Sequence, residues 1–323
     1  MTERSLVTGA NGQDGVYLVE KLLSTGDEVH GMCHSAEGAR QLGENFPSVT
    51  AHVADIENAT AIRHLIDETE PTRVFNLAGN TSVARSWEEP AETADVLGVG
   101  PIRLLEACWK LSQRLGRDVR MLQASSAEIF GDASEVPQNE QTPRRPVTPY
   151  GAAKGFAHEM AGVYRARGMF VCTAILYNHE SPRRPENFVA RKIAMAVANI
   201  AAGRQENIVL GNIDVHRDWG YAPDYVDAMI RIISQPASND YIVATGVSHT
   251  VRDFVAEAFT VAGISDWEHR VVIDPALYRP ADPLQLVGDA SRLRAIGWAP
   301  SLSFKDLVKV MVASEMSSYA LGD

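Results

Sequence analysis

Cysteine is scarce in this chain of 323 residues, and basic charge is outweighed by acidic. Cys33, Cys108 and Cys172 are odd in number, far apart and without metal-ligand spacing, which argues against a disulfide scaffold and predicts reduced thiols. With 30 Lys and Arg against 41 Asp and Glu, a formal net charge of -11, the surface is unsuited to general nucleic-acid binding, which needs a basic face to displace counterions. Any phosphate site must therefore be local. No apolar run approaches the ~18 residues of a membrane span, and the opening MTERSLVTGA has no basic segment followed by an apolar one. The expectation is a soluble, cytoplasmic protein with neither membrane nor nucleic acid as partner. His30 with His34, and His158 with Glu159, lack a complete ligand set, so no metal is assigned. What the chain does have is 45% hydrophobic and 22% charged residues, ordinary globular usage with enough apolar material for a large core.

The order of that material is informative. Short β-prone runs (SLVTG, EVHGMC, VTAHV, TRVFNLAG, VRMLQASS) alternate with segments of helical length such as QDGVYLVEKLLST and NATAIRHLIDET. Such alternation predicts βαβ units and an α/β fold with a Rossmann-like, doubly wound parallel sheet. Residues 90–115 read as a long crossover or interface helix, with VLGVGPIRLLEACWKL apolar at helical spacing. After VCTAILYNHESP the pattern loosens, which predicts a smaller mixed α/β substrate domain, before WGYAPDYVDAMIRIISQ and DYIVATG return to the sheet. The expected division is residues 1–178 with about 214–245 for the first domain, and about 179–213 with 246–323 for the second.

TGANGQDG places Gly9, Gly12 and Gly15 directly after the first strand and at the mouth of the first helix. Glycines there let backbone approach a pyrophosphate, and the helix start supplies free N–H groups. A tight strand-to-helix turn is the bland alternative, but the strand–glycine–helix context favours a dinucleotide, with Asn11, Gln13 and Asp14 in the same loop as further contacts. Asp55 and Ile56 follow the third strand, where a carboxylate could accept from an adenine amine, and Leu77, Ala78 and Thr81 follow the fourth. Ligands of such sheets lie beyond the carboxyl ends of the strands, so these positions converge on one crevice.

TPYGAAK sets Tyr150 and Lys154 four apart, on one face if the segment is helical. A free phenol has a pKa of about 10, and a neighbouring ammonium favours its phenolate. The pair could remove a hydroxyl proton during hydride transfer, with Ser126 bonding the same hydroxyl. In QASSAEIFG, Glu128 lies just beyond the fifth strand. By itself it reads as a solvated loop carboxylate or a helix-start charge. Beside a sugar carbon being oxidised it acquires a task, because a C–H next to a new ketone is acidic enough for a placed carboxylate to remove.

The glycine pattern with the Ser, Tyr and Lys set resembles the extended short-chain dehydrogenase/reductase family. Longer stretches (GQDGVYLVEKLL, NLAGNTSVARSWEEP, NHESPRRPENFVARKI, LGNIDVHRDWGYAPDYVDAM and YRPAD) are similar to the GDP-mannose 4,6-dehydratases within it. The resemblance implies a hydro-lyase that is redox-neutral overall. Tightly held NADP would take hydride from sugar C4 while Tyr150 takes the hydroxyl proton, helped by Ser126 and Lys154. Glu128 would remove the C5 proton and assist loss of the C6 hydroxyl, and hydride would return to C6, giving GDP-4-keto-6-deoxymannose. It further implies cofactor contacts from His179 and Arg184, nucleotide-sugar contacts from Asn178, Lys192, Arg217, Arg279 and Asp282, and a homodimer or homotetramer. Guanidinium forks suit diphosphate oxygens, and Arg191 belongs to the same cationic group.

Departures from the family pattern keep alternatives open. Where relatives usually carry arginines and serines for a 2′-phosphate, this chain has GMCHSAEGAR, leaving Arg40 or a partner subunit to compensate, with NAD as the alternative to NADP. Asn80, Ser126 and Asp282 replace a common glutamine, threonine and glutamate, which leaves room for a related nucleotide sugar. An epimerase or 4-keto reductase would share the fold and the Tyr/Lys pair without needing Glu128. A cofactor-sensing protein would need none of the four reactive side chains, and a structural scaffold neither the crevice nor the charge arrangement.

Overall fold

A computed structural model describes residues 3–278, 281 and 285–320, the last three by backbone alone. Thirteen strands are present among them: β1 (Arg4–Thr8), β2 (Glu28–Cys33), β3 (Thr50–Val53), β4 (Arg73–Asn76), β5 (Arg120–Ser126), β6 (Val171–Leu176), β7 (Asn178–Glu180), β8 (Ile208–Leu210), β9 (His216–Tyr221), β10 (Asp240–Val243), β11 (Ser248–Thr250), β12 (Val271–Ile273) and β13 (Gln285–Leu286). The helices are α1 (Gln13–Ser24), α2 (Ala36–Asn45), α3 (Ala59–Thr69), α4 (Val83–Glu88), α5 (Pro90–Ala94), α6 (Gly100–Leu115), α7 (Pro149–Ala166), α8 (Val189–Ala201), α9 (Ala222–Ile233), α10 (Val251–Val261), α11 (Ser291–Arg294) and α12 (Phe304–Ala320).

Seven strands form one sheet in the order β10-β6-β5-β4-β1-β2-β3, every neighbouring pair parallel. Strands buried on both faces are expected to be apolar almost throughout, and VCTAIL of β6 is buried at every position. Successive side chains alternate between the two faces. Val7, Phe75 and Leu122 join α1 and α9 in one core layer, while their neighbours Leu6, Val74 and Met121 join α3 and α6 in the other. This is the predicted doubly wound sheet.

A smaller region follows. A four-stranded sheet has β9 flanked by β11 and β13 and paired also with β7, and a two-stranded sheet joins β8 to β12. Its core packs Val197 of α8, Trp219 of β9, Phe254 of α10 and Met311 of α12. Asp218 of β9 fastens this region to the large sheet. Its fully buried carboxylate accepts from the backbone and hydroxyl of Thr245 (2.8 and 2.6 Å), from Gly246 N (2.8 Å) and from Gly288 N (3.3 Å). The loop leaving β10 and the loop leaving β13 are thus held on one side chain.

One predicted element differs. Residues 90–115 are three consecutive segments, α5, a π-helical turn over Asp95–Val99 and α6. Pro101 has no N–H to return to the preceding turn, and the wider turn before it absorbs that missing bond. All three cysteines are free and buried, and no helix among the described residues is long and apolar enough to cross a membrane.

Asp218→Ala leaves three backbone donors, the buried Gly288 N–H among them, without their acceptor. It is expected to lower stability by about 3 kcal/mol or more, measured by urea unfolding, whereas truncation of an exposed aspartate such as Asp214 should change stability little.

Candidate active site

The dinucleotide cradle is built by close approach. β1 ends at Thr8, and Gly9 turns the chain at φ +66° with so little room that a Cβ would lie 3.0 Å from the Leu77 carbonyl. At Gly15 an added Cβ would stand 2.2 Å from Gly9 O, so only glycine lets α1 rise directly from the loop. Gly12 caps α1 without a side-chain bond, leaving the helix's first N–H groups for a ligand. These features fit the pyrophosphate of a dinucleotide. Asn11 abuts the start of α2, where a Cβ on Gly38 would come within 2.5 Å of its amide, Asp55 turns the chain after β3 by accepting from Glu57 N at 2.9 Å, and Ile56 packs on Gly100.

A polar row fixes the strand ends beside it. The Thr8 hydroxyl donates to Asn76 Oδ1 (2.7 Å) and accepts from the N–H groups of Leu77 and Ala78 (both 3.1 Å). The Asn76 amide then donates to Gln123 Oε1 at 2.7 Å, and Gln123 donates to the Ala124 carbonyl at 2.9 Å.

Beyond these ends opens a cleft of about 430 Å³. Of the sequence candidates it brings together Asp14, Leu77, Thr81, Ser126, Glu128, Tyr150, Lys154, Asn178, His179, Arg184, Lys192 and Arg217. Gly9, Asn11, Gly12, Gln13, Gly15, Asp55, Ile56 and Ala78 lie along the adjoining glycine loop and strand ends rather than on the cleft wall. Arg279 and Asp282 lie outside the described residues. Arg191 is turned away, its Nε 2.5 Å from Glu315 of α12.

Ser126 ends β5, and its hydroxyl accepts from Glu128 N (3.3 Å), capping the short 3-10 turn Ala127–Ile129. Glu128 is 9% exposed, so it is no solvated loop carboxylate. Thr148 caps α7 by accepting from Gly151 N (2.9 Å), with Pro149 in the first turn. Gly151 is the contact point between helix and turn, since a Cβ there would sit 2.5 Å from Glu128 O. Tyr150 and Lys154 are both 6% exposed. Burial pushes the Tyr150 phenol up to about 12 despite a hydrogen bond with Ser126, and lowers Lys154 to about 8 despite the attraction of Asp14. The four-residue spacing of Tyr150 and Lys154 predicts an ammonium that favours the phenolate. In the structure Lys154 donates to the Ala124 carbonyl (3.0 Å) and its Nζ stands 5.9 Å from the Tyr150 ring centre, so burial outweighs it.

Across the cleft the segment 178–184 is clasped to the glycine loop. Gln13 Nε2 donates to the His179 carbonyl (3.2 Å), and the Ser181 hydroxyl donates to Gln13 Oε1 (2.9 Å). Both ring nitrogens of His179 face acceptors, the Tyr177 carbonyl at 2.7 Å and the Asp14 carboxylate at 2.8 Å, so the ring donates from both and is cationic. Burial opposes either charge, yet each partner wins over it: the His179 pKa is raised and the Asp14 pKa lowered. The imidazole stacks on Tyr225 at 4.5 Å. Arg184 pairs with Glu180 at 3.1 Å and lies 3.8 Å from the centre of the Phe188 ring, while Lys192 donates to the Val209 carbonyl at 2.8 Å. Glu180, a buried carboxylate on the cleft wall held above its ordinary pKa by burial, went unnoticed in the sequence. Its place between His179 and Arg184 in NHESPRR was the available signal.

The family model described as GDP-mannose 4,6 dehydratase matches residues 6–311. GDP-mannose 4,6 dehydratase 2 of Arabidopsis thaliana is 43% identical over 324 residues, covering 97% of this chain and 86% of its own length. The chain belongs to the GDP-mannose 4,6 dehydratase family. Among solved structures, UDP-glucose 4-epimerase of Thermus thermophilus, in complex with NAD, superimposes with a TM-score of 0.84 at 27% identity, covering 97% of this chain and 98% of the other. RMD from Pseudomonas aeruginosa, complexed with NADPH, gives 0.81 at 26% identity, covering 98% and 100%. Membership in the dehydratase family agrees with the resemblance seen in NHESPRR and RDWG, and the two superpositions agree with the Rossmann-like fold.

The Asp14–His179 pair gives this member of the dehydratase family a pH signature. The His179 contribution is fully present below its ordinary value of 6.5 and is lost as pH rises through the raised folded value. The Asp14 contribution is present above 3.8 and is lost as pH falls through the depressed folded value. The melting-temperature difference between the unaltered chain and Asp14→Asn should therefore be widest between 3.8 and 6.5 and shrink in alkali. A difference that grows as pH rises above 6.5 would contradict the charged pair.

Proposed function

We propose that this chain is a hydro-lyase that converts GDP-D-mannose to GDP-4-keto-6-deoxy-D-mannose and water, a step in deoxysugar biosynthesis. The observation that carries the reading is the meeting of Ser126, Glu128, Tyr150 and Lys154 in one cleft, beside a glycine cradle, in a member of this family. An epimerase or reductase would have no use for the buried Glu128. The glycine cradle of Gly9, Gly12 and Gly15 would hold the dinucleotide, whose nicotinamide would supply a reversible hydride store for C4 and C6. The four side chains handle protons and position.

Tyr150 removes the C4 hydroxyl proton. A phenol held near 12 is a strong base once ionised, and the Ser126 hydrogen bond and the Arg184 charge assist its ionisation against burial. Glu128 then removes the C5 proton, made acidic by the C4 ketone, and passes it to the departing C6 hydroxyl, which leaves as water. The proton held by Tyr150 balances the one required at C5 when the product forms. Lys192 and Arg217, with Arg279, are the cations for the diphosphate, and Asn178 and Asp282 are polar contacts for the nucleotide sugar. His179 and Arg184 serve the cofactor. In this reading residues 1–178 with about 214–245 hold the dinucleotide, and about 179–213 with 246–323 hold the sugar nucleotide.

NADP is our choice of cofactor, supported by membership in the family and by Arg40 of α2, the cation that follows β2; NAD is the second reading because Arg40 is already forked between Glu37 (2.7 Å) and Glu44 (2.5 Å). A 2′-phosphate would have to displace Glu37. We read the active form as a homodimer or homotetramer, supported by exposed Val99 near the start of α6 and Phe156 and Val163 on α7, and the compartment as cytoplasmic, supported by three free cysteines.

Following the C6 methyl signal by NMR, with GDP-mannose and NADP+, tests the reaction: a methyl product without net NADPH supports it, and a folded, cofactor-loaded protein that forms none rejects it. Glu128→Gln should slow methyl formation at least about 100-fold while reduced cofactor accumulates, and Tyr150→Phe should suppress cofactor reduction itself. Glu37→Gln should raise the affinity for NADP+ relative to NAD+ roughly 5-fold by calorimetry, about the worth of one exposed ion pair. An unchanged ratio would remove Arg40 from cofactor selection.

A further inference from the structure

The buried face of α7 does not end with the two residues assigned to proton transfer. His158 follows Lys154 by one helical turn, as Lys154 follows Tyr150, and is 2% exposed. Its Nδ1 lies 3.2 Å from Ser125 Oγ on β5, and its Nε2 faces Asp240 Oδ2 of β10 at 3.7 Å. Asp240 is itself held by Arg165 of α7 at 2.6 Å and by the Thr173 hydroxyl of β6. The acceptor beyond Nε2 favours the tautomer that carries its proton there, so that Nδ1 accepts from the Ser125 hydroxyl. Burial keeps the ring neutral by lowering its pKa to about 4, against the pull of Asp240.

Ser125 immediately precedes Ser126, and Lys154 already grips the carbonyl of Ala124. Two successive side chains of α7 thus hydrogen-bond two successive residues of β5, one turn from the Tyr150 phenol that bonds Ser126. We infer that His158 is a positioning residue for this site: by hydrogen-bonding Ser125, with Asp240 facing its other nitrogen, it fixes the roll of α7 against β5 and so the alignment of Tyr150 with Ser126. The inference rests on the assignment of Tyr150 and Ser126 to C4 oxidation. It adds a residue that touches neither substrate nor cofactor and that hydride transfer would nevertheless depend on.

Two variants separate hydrogen bonding from bulk. His158→Phe fills similar space without polar atoms, and His158→Gln can offer an N–H to Asp240 and an oxygen to Ser125. Stopped-flow measurement of cofactor reduction with GDP-mannose should show the Phe variant slowed on the order of 10–100-fold, with cofactor and substrate dissociation constants unchanged and most of the rate restored by Gln. A Phe variant that reduces cofactor as fast as the unaltered chain would overturn the inference, as would a loss shared equally by Phe and Gln that tracks their melting temperatures. Nitrogen-15 NMR of the imidazole supplies a readout free of turnover: the ring should be neutral and protonated at Nε2 from pH 5 to 8 (about 1 unit or more above its value), with the Nδ1 signal moving in Ser125→Ala. A cationic ring, or no response to Ser125→Ala, would also overturn it. If the unaltered chain reduces no cofactor with GDP-mannose, the functional reading fails, and the inference is decided by the imidazole signal.

Discussion

The hydrogen-bonded row from Thr8 through Asn76 to Gln123 is the constraint that the rest of the molecule inherits. Side chains on three neighbouring strands, β1, β4 and β5, satisfy one another inside the sheet, where each left alone would cost free energy. Because the row lies at the carboxyl ends of β1 and β4, it sets where the glycine loop leaves β1 and where Leu77 and Ala78 leave β4, while β5 runs on past Gln123 to Ser126. The crevice of a parallel sheet lies outside the carboxyl ends of its strands, and here the ends of β1 and β4 are fixed by side-chain chemistry in addition to the backbone ladder.

Burial then does the electrostatic work. The same low-polarity surroundings that raise the Tyr150 phenol and lower the Lys154 ammonium penalise isolated charges, and two ion pairs answer that penalty, Asp14 with His179 and Glu180 with Arg184. These pairs sit on the segment that crosses from the large sheet to the small one, so the charge balance of the site and the junction between its two halves are maintained by the same bonds. Asp218 repeats the arrangement with backbone donors in place of cations.

Much of this was legible in the sequence because it is local. Alternating apolar runs gave away the strands of the large sheet, three glycines after SLVT marked the cradle, and the four-residue spacing of Tyr150 and Lys154 survives in any α-helix. The long motifs NHESPRR and RDWG carried the family. What escaped was tertiary. Asp14 and His179 are 165 residues apart, and their pairing exists only because α1 and β7 meet. Arg191 belongs to the same arginine-rich stretch as Arg184, yet helical phase turns it toward Glu315 and away from the cleft. The π-helical turn before Pro101 has no period that a hydrophobic pattern can announce, and the burial of Glu128 depends on a helix that arrives more than twenty residues later.

Gly151 is the residue at which that helix arrives. With no Cβ to hold them apart, α7 and the turn carrying Glu128 rest backbone against backbone, and Tyr150 is the next residue along. The groups assigned to adjoining carbons of one sugar ring are therefore mounted on a single stiff block, and thermal motion displaces them together. A sugar entering the cleft meets a ruler of fixed length, marked at one end by a phenol and at the other by a carboxylate.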